Sequence, residues 1–473
     1  MSGYIERLKD AALPPYDHAA VEKVYQKALA ADHTKIIALD DDPTGVQTVH
    51  DVFVYTDWSA DTMCSLFEDG QKVSFILTNS RGLTRQDTVR IHREIARAIV
   101  QAAQGRPYAV VSRSDSTLRG HYPLETDTLR QELEAQEGVA FDGEIIMPFF
   151  EEGGRYTVGD IHYVASGERL IPAGETEFAR DKTFGYRSSN LRQWIEEKTE
   201  GAYRAEEVAS VSLEELRALD LRGIEEKLLA LRGFQKLIVN AVCEDDVKVF
   251  VTALFSALSK GKRFLYRSAA ALVKVMGGVP SRPLLTREEL LDAQNRNGGL
   301  VIAGSHVHKT TAQLEALKGK TGIVCIELNQ HLVVDEAALT REVDRVIAAA
   351  EETIRSGQTA VVYTRRERFD AGTGNREDEL RLAVRISDAV TAVAAGLKAR
   401  PNFIIAKGGI TSSEIGTKAL RCRKARVMGQ ILKGIPVWET GPESLFPAMP
   451  YVIFPGNVGD ENALYDAVQK IRP

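Results

Sequence analysis

Short apolar runs bounded by turn residues alternate with stretches in which apolar side chains recur every three or four positions, and this alternation runs nearly the length of the chain. The runs fit buried strands and the stretches fit amphipathic helices. An Ala-rich helix is expected over 17–31, leading into the strand KIIALDDD. VFVYTD (52–57), VSFILTNS (73–80), YAVVSRSD (108–115) and GEIIMPFF (143–150) follow as strands, with helices over 84–104 and 122–135. A Glu-rich helix at 212–231, the strand KLIVN (236–240) and a helix near 245–260 continue the series. Such alternation predicts a mainly parallel sheet with helices on both faces.

Gly, Pro and Asn crowd 277–299, and a fresh strand, LVIAGS, begins at 300. The alternation then restarts with GIVCIEL (322–328), a helix at 336–356, TAVVYT (359–364), a helix at 377–397, NFIIAKGG (402–409), a helix from 412 and YVIFPGN (451–457). The expected architecture is α/β, with two α/β domains, each a mainly parallel sheet with flanking helices. The boundaries read as an N-terminal helical extension over 1–33, a first domain over 34–276, a linker over 277–299 and a second domain over 300–473.

Composition narrows the class. The 473 residues are 44% hydrophobic and 27% charged, enough apolar material for two cores. Lys and Arg total 60 against 66 Asp and Glu, giving −6 without a basic tract, which argues against nucleic acid as the main partner. Cys64, Cys243, Cys325 and Cys422 form no C-x-x-C pair and read as reduced. The N-terminus lacks the apolar run of a signal peptide, and no stretch of about 18 apolar residues occurs, so no membrane partner and a cytoplasmic location are expected.

Open α/β sheets bind ligands at the carboxyl ends of their strands, so strand-end residues carry the functional signal. The first strand ends in Asp40-Asp41-Asp42-Pro43-Thr44-Gly45, and because strand side chains alternate, the three carboxylates do not share one pocket. One or two can face a ligand or recruit a divalent cation, or a single Asp can initiate a turn. The third strand ends in Thr78-Asn79-Ser80-Arg81 and the fourth in Arg113-Ser114-Asp115-Ser116-Thr117-Leu118-Arg119-Gly120. Arg81 and Arg119, beside carboxylates and hydroxyls, suit an acidic, sugar-like ligand, and the same residues would also serve a structural Arg–Asp network. Glu151 to Thr157 reads as a mobile loop over the site.

In the second half the strand ends turn from charged to small: Gly304-Ser305, Lys407-Gly408-Gly409-Ile410-Thr411 and Pro455-Gly456-Asn457-Val458-Gly459. Glycines at helix starts let backbone N–H groups approach a polyphosphate, which the helix dipole also favours. Neither G-x-x-x-x-G-K-[ST] nor G-x-G-x-x-G occurs, so phosphate binding here takes a less common arrangement.

Taken together, these motifs resemble the four-carbon acid sugar kinase family, over about residues 34–465. DDPTG (41–45), TNSR (78–81), RSDSTLRG (113–120), GGRYTVGDIHYV (153–164) and FLYRSAA (264–270) are similar to its sugar-binding domain. GSHVHKTTAQL (304–314), AKGGITSSEI (406–415), VMGQILKGIPVW (427–438) and PGNVGDENAL (455–464) are similar to its nucleotide-binding domain. The resemblance implies phosphorylation by ATP and Mg²⁺ of a terminal hydroxyl on a small-molecule acid sugar such as threonate, erythronate or 3-oxo-tetronate, in an interdomain cleft. It implies Asp41, Asp42, Arg81, Asp115 and Arg119 on the substrate side, to which the strand-end motifs add Thr44, Asn79, Ser80, Arg113, Ser116 and Gly120 as candidates. On the nucleotide side it implies Ser305, Gly408, Gly409, Thr411 and Gly456, to which the same turns add Gly304, Lys407, Ile410 and Asn457 as candidates. Asp42, Asp115 or Asp41 is then the group that orients or deprotonates the attacking hydroxyl, and no metal ligand is assigned. The chain departs from the family pattern at Arg113, where many members have Lys, and at His121, often Asn; both bear on which acid is used. A kinase for a related branched or keto acid sugar, and a catalytically silent regulator on the same fold, are the alternatives. A nicotinamide-dependent oxidoreductase would need the missing glycine fingerprint. A homodimer is the default assembly.

Overall fold

The computed structural model describes residues 15–367, 369, 376–456 and 458–472. Apolar runs with no polar face must be buried on both sides, and they form the strands of two α/β units, one ending at Ser281 and the other beginning at Arg282.

In the first unit the strands are β1 (Lys35–Asp40), β2 (Phe53–Tyr55), β3 (Val73–Leu77), β4 (Tyr108–Arg113), β5 (Gly143–Met147), β6 (Arg155–Val158), β7 (Ile161–Ser166), β8 (Arg169–Pro172), β9 (Ala209–Val211), β10 (Gln235–Val239) and β11 (Phe264–Ser268). Eight of them form one parallel sheet in the order β2-β3-β1-β4-β11-β5-β10-β9. The chain leaves β1 for β2 and β3 on one side, then crosses to β4 on the other. Asp40 therefore lies in register with Leu77 on one neighbour and Arg113 on the other, and three polar strand ends open side by side at this switch point.

The helix Arg85–Ala103 starts where the Thr84 hydroxyl accepts the Asp87 N–H at 3.1 Å. Its Ile95 and Ile99, four residues apart, pack with Ile37, Ile76, Leu129 and Leu133 beneath the sheet, each fully buried side chain contributing about 1.5–3 kcal/mol.

Two elements depart from the sequence expectation. The stretch expected to be a mobile loop is a turn followed by β6, which pairs with β7, itself paired with β8, in an antiparallel meander joined to Ala241 through Thr157. Tyr156 and Thr157 are buried there, and the strand is masked in sequence by the polar residues around it. The single helix expected at 212–231 is two, Leu213–Arg217 and Leu221–Ala230, because Leu219 takes a left-handed φ of 53° and Asp220 caps the second.

The second unit contains β12 (Leu300–Ala303), β13 (Ile323–Leu328), β14 (Thr359–Thr364), β15 (Ile404–Lys407), β16 (Lys424–Leu432), β17 (Ile435–Thr440) and β18 (Pro450–Phe454). Five run parallel in the order β13-β14-β12-β15-β18, and β17 and β16 continue antiparallel as a hairpin. The order reverses at β12, so Gly304-Ser305 lies between the ends of β14 and β15. Val301, Val361, Ile405 and Val452 form the core with the helices His308–Leu317 and Ala463–Ile471. Each unit is thus a mainly parallel sheet with flanking helices. Among the described residues, no helix is long and apolar enough to cross a membrane.

Candidate functional site

At the switch point of the first unit, three consecutive carboxylates divide between two arginines. Asp40 is buried and accepts Arg113 Nη1 at 3.3 Å. Burial pushes its carboxyl up to about 7; Arg113 opposes this, and Asp41 and Asp42 add to it. Asp41 turns the other way and is held by Arg81. Asp42 accepts the N–H and hydroxyl of Thr44 at 2.9 and 2.6 Å and lies 3.4 Å from Arg81. Burial favours its neutral form, but Arg81 and Thr44 together outweigh that and hold the carboxyl below its ordinary range. The Asp42 side chain is 22% exposed against 2% for Asp40 and Asp41, so it is the most solvent-accessible carboxylate of the three.

Beneath them is a buried ionic floor. Thr78 and Asn79 bond back to the Asp40 carbonyl, Asn79 with a left-handed φ of 52°. Ser80 is buried and donates to Glu125 at 2.5 Å, while the other Glu125 oxygen takes Arg267 Nη1. Arg267 also donates to Ser112 at 3.0 Å and to the Arg119 carbonyl at 3.3 Å. Gly120, with φ of +116°, packs onto this guanidinium: an added Cβ would lie 2.7 Å from Arg267 Nη2 and 3.3 Å from Asp41 Oδ2. Ser80 and Gly120 are thus part of the floor, whereas Asp42 and Arg81 form the wall.

Along the Asp115–Arg119 loop, Asp115 accepts the Thr117 hydroxyl and Arg119 Nε, the latter at 2.6 Å. Burial would raise this carboxyl, yet Arg81 and Arg119 prevail and hold it far below the usual range. The Ser116 carbonyl accepts His162 Nε2 at 2.8 Å, and the other ring nitrogen lies 3.0 Å from the Thr157 hydroxyl. Burial pushes His162 down to about 4 against the pull of the Ser116 carbonyl, leaving a neutral, positioned ring. Arg119 and Arg155 both stand against the Phe178 ring, 5.1 and 5.8 Å from its centre.

Arg155, His162, Glu125 and Arg267 were not singled out in the sequence, although the GGRYTVGDIHYV and FLYRSAA segments contain three of them. Arg267, one residue before the end of β11, was findable as another strand-end charge. Glu125, in a helix first turn, carries no such signal.

In the second unit the glycine turns converge on one another. The position of a Cβ on Gly304 is 3.1 Å from Thr411 Oγ1, and that of one on Gly408 is 3.6 Å from both Ser305 Cβ and Thr411 Oγ1. Gly408 has φ of +111° and donates its N–H to the Phe454 carbonyl at 2.8 Å, joining the third turn. Lys407 is fully buried, with Nζ on the carbonyls of Pro455 and Gly456 at 2.6 and 3.1 Å; burial pushes it down to about 7, with Lys309 adding to the shift. It holds the 455–456 turn from behind. Gly409 opens a helix, Ile410 is 70% exposed, and a Cβ on Gly456 would meet open space. Asn457 lies outside the described residues. Arg366, unremarked in sequence, donates to the Ser305 carbonyl at 2.7 Å and to Thr311 at 2.9 Å, with its buried Nη1 unpaired among the described residues. A hollow of about 470 Å³ beside these turns is lined by His308, Lys309, Ala312, Gly459, Asp460, Glu461 and Asn462.

Among the described residues no three His, Cys, Asp or Glu side chains cluster as a metal site.

Residues 36–276 match the family described as a sugar-binding N-terminal domain, and residues 300–464 match the one described as a nucleotide-binding C-terminal domain. Two solved structures share the fold. Haemophilus influenzae protein HI1011, of the family DUF1537, is 16% identical with a TM-score of 0.59, covering 92% of this chain and 99% of its own. A Salmonella typhimurium LT2 protein carrying a provisional tRNA-synthase name is 15% identical with a TM-score of 0.63, covering 93% of this chain and 100% of its own. No curated protein matches the chain in sequence.

Proposed function

Because the chain belongs to the family that joins a sugar-binding N-terminal domain to a nucleotide-binding C-terminal domain, the four-carbon acid sugar kinase family, we propose that it is an ATP-dependent kinase acting on the terminal hydroxyl of a four-carbon acid sugar. Threonate, erythronate and 3-oxo-tetronate are the substrates in view. The observation that carries the reading is the contrast between the two switch points: carboxylates and guanidiniums at one, converging glycine turns at the other.

Phosphoryl transfer depends on positioning and charge stabilisation more than on covalent help. The backbone N–H groups around Gly304-Ser305 and Gly409–Thr411 suit the phosphates of ATP, and the turn braced by Lys407 closes the same cradle. Mg²⁺, bound with the triphosphate, supplies neutralisation of its charge. In the first unit, Asp42 accepts the hydrogen of the attacking hydroxyl, because it combines solvent access with a carboxyl held ionised. Asp115 is the more tightly neutralised alternative, and Asp41, gripped by Arg81, is the least available. Thr44 orients Asp42, and Arg81 keeps it charged. A cytoplasmic setting with its ATP supply fits this reading.

The test is an ADP-release assay with Mg²⁺ and ATP against four- and five-carbon sugar acids and their matching polyols. Release that depends on a four-carbon acid is expected. No release with any acid, from protein that binds ATP by calorimetry, would overturn the kinase reading.

A further inference from the structure

We propose that Arg155 receives the substrate's carboxylate and thereby sets the preference of the first unit for acid sugars over neutral ones. The inference rests on the acid-sugar reading above and names the residue that makes the ligand an acid.

Four other arginines reach this site, and each already has a protein carboxylate. Arg81 holds Asp41 and Asp42, Arg113 holds Asp40, Arg119 holds Asp115, and Arg267 holds Glu125. Arg81 and Arg119, which the sequence suggested for the ligand's carboxylate, are therefore matched within the protein. Their freedom to bind a second anion is correspondingly reduced.

Arg155 is different. Among the described residues no carboxylate lies within ion-pair distance of its guanidinium, and its Nε, like that of Arg113, is buried without a hydrogen-bond partner. Burial works against its charge, with Asp115 too distant to pair but close enough to attract it. A guanidinium remains protonated under such conditions, so the cost of its partial desolvation persists until an anion arrives. The backbone of Arg155 is anchored by reciprocal bonds with Phe150, at 3.0 and 2.9 Å, and the residue opposes Val164 across the β6–β7 pair. The Phe178 ring, which both Arg155 and Arg119 face, supplies an apolar wall beside them. A carboxylate held by the Arg155 fork would place the hydroxyl-bearing chain alongside Asp115 and Arg119, which already offer an acceptor and a donor.

The same guanidinium chemistry would suit a phosphate group, and the experiment separates the two sources. Arg155→Gln and Arg155→Lys are compared with wild type by calorimetry, using threonate, erythronate and the matching polyol erythritol, and by steady-state ADP release. Wild type is expected to favour the acids strongly. Arg155→Gln should lose about 100-fold in acid affinity with polyol affinity unchanged, so the selectivity ratio collapses. The KM for acid should rise while the KM for ATP stays the same, and Arg155→Lys should recover part of the ratio. A Gln variant that keeps the acid-to-polyol ratio overturns the inference, as does a loss that falls on ATP or on kcat alone, which would mark a phosphate contact. If the Gln variant fails to fold, an Arg155→Lys variant with wild-type selectivity and acid KM would likewise overturn it, because Lys lacks the fork. Wild-type protein that binds no acid overturns the functional reading itself; discrimination by both wild type and Arg155→Gln overturns this inference alone.

Discussion

The Arg81 guanidinium grips Asp41 through two hydrogen bonds, Nη2 to Oδ1 at 2.5 Å and Nε to Oδ2 at 3.2 Å. A residue just beyond β3 thereby neutralises one just beyond β1, and the pair fixes the wall on which Asp42 stands. Removing the cation leaves a buried carboxylate uncompensated. Arg81→Met should destabilise the protein by about 3 kcal/mol, read from urea unfolding, and adding Asp41→Asn should recover part of that loss. Strict additivity of the two substitutions would refute the coupling.

Gly120→Ala tests the floor. The alanine must adopt φ near +116° and push against Arg267, so a loss of about 1–3 kcal/mol is expected from the backbone alone. Acid binding should weaken with ATP binding retained, and calorimetry with each ligand checks both.

Asp42→Asn should lower kcat by about 100-fold or more, with ATP affinity nearly unchanged. Full turnover in Asp42→Asn alongside a collapse in Asp115→Asn would transfer the role to Asp115.

Asp40 makes a pH signature. Its carboxyl is raised from 3.8 to about 7, so the folded protein binds more protons than the unfolded chain across that window. The stability it contributes is present at the acid end and is lost as pH rises through 7. Asp40→Asn, which cannot ionise, should therefore gain on wild type between those limits. Parallel unfolding midpoints at every pH would show that Arg113 keeps Asp40 ionised throughout.

Lys407→Met removes both bonds to the Pro455 and Gly456 carbonyls while filling similar space. ATP affinity should fall about tenfold as those buried carbonyls lose their partner, and acid affinity should not change. An unaltered ATP isotherm would separate Lys407 from the nucleotide cradle.

Much of the fold was legible because its signals are local. The apolar runs of β1, β3, β4, β12 and β18 announce strands buried on both faces, and Asp40–Asp42, Arg113–Gly120 and Lys407–Thr411 announce polar or glycine-rich strand ends. Strand order was not legible, nor was the pairing of charges, because each depends on which segments meet. Glu125 and Arg267 are 142 positions apart, and nothing in either neighbourhood names the other. β6 was hidden for a related reason: a short strand in a meander is stabilised by partners outside the central sheet, so its own run is too brief and too polar to stand out. The sequence by itself determined two α/β units and the chemistry concentrated at their strand ends. Only the tertiary structure decided which carboxylate neutralises which arginine, and so which arginine is left for a ligand, because charge compensation is a property of distance in space.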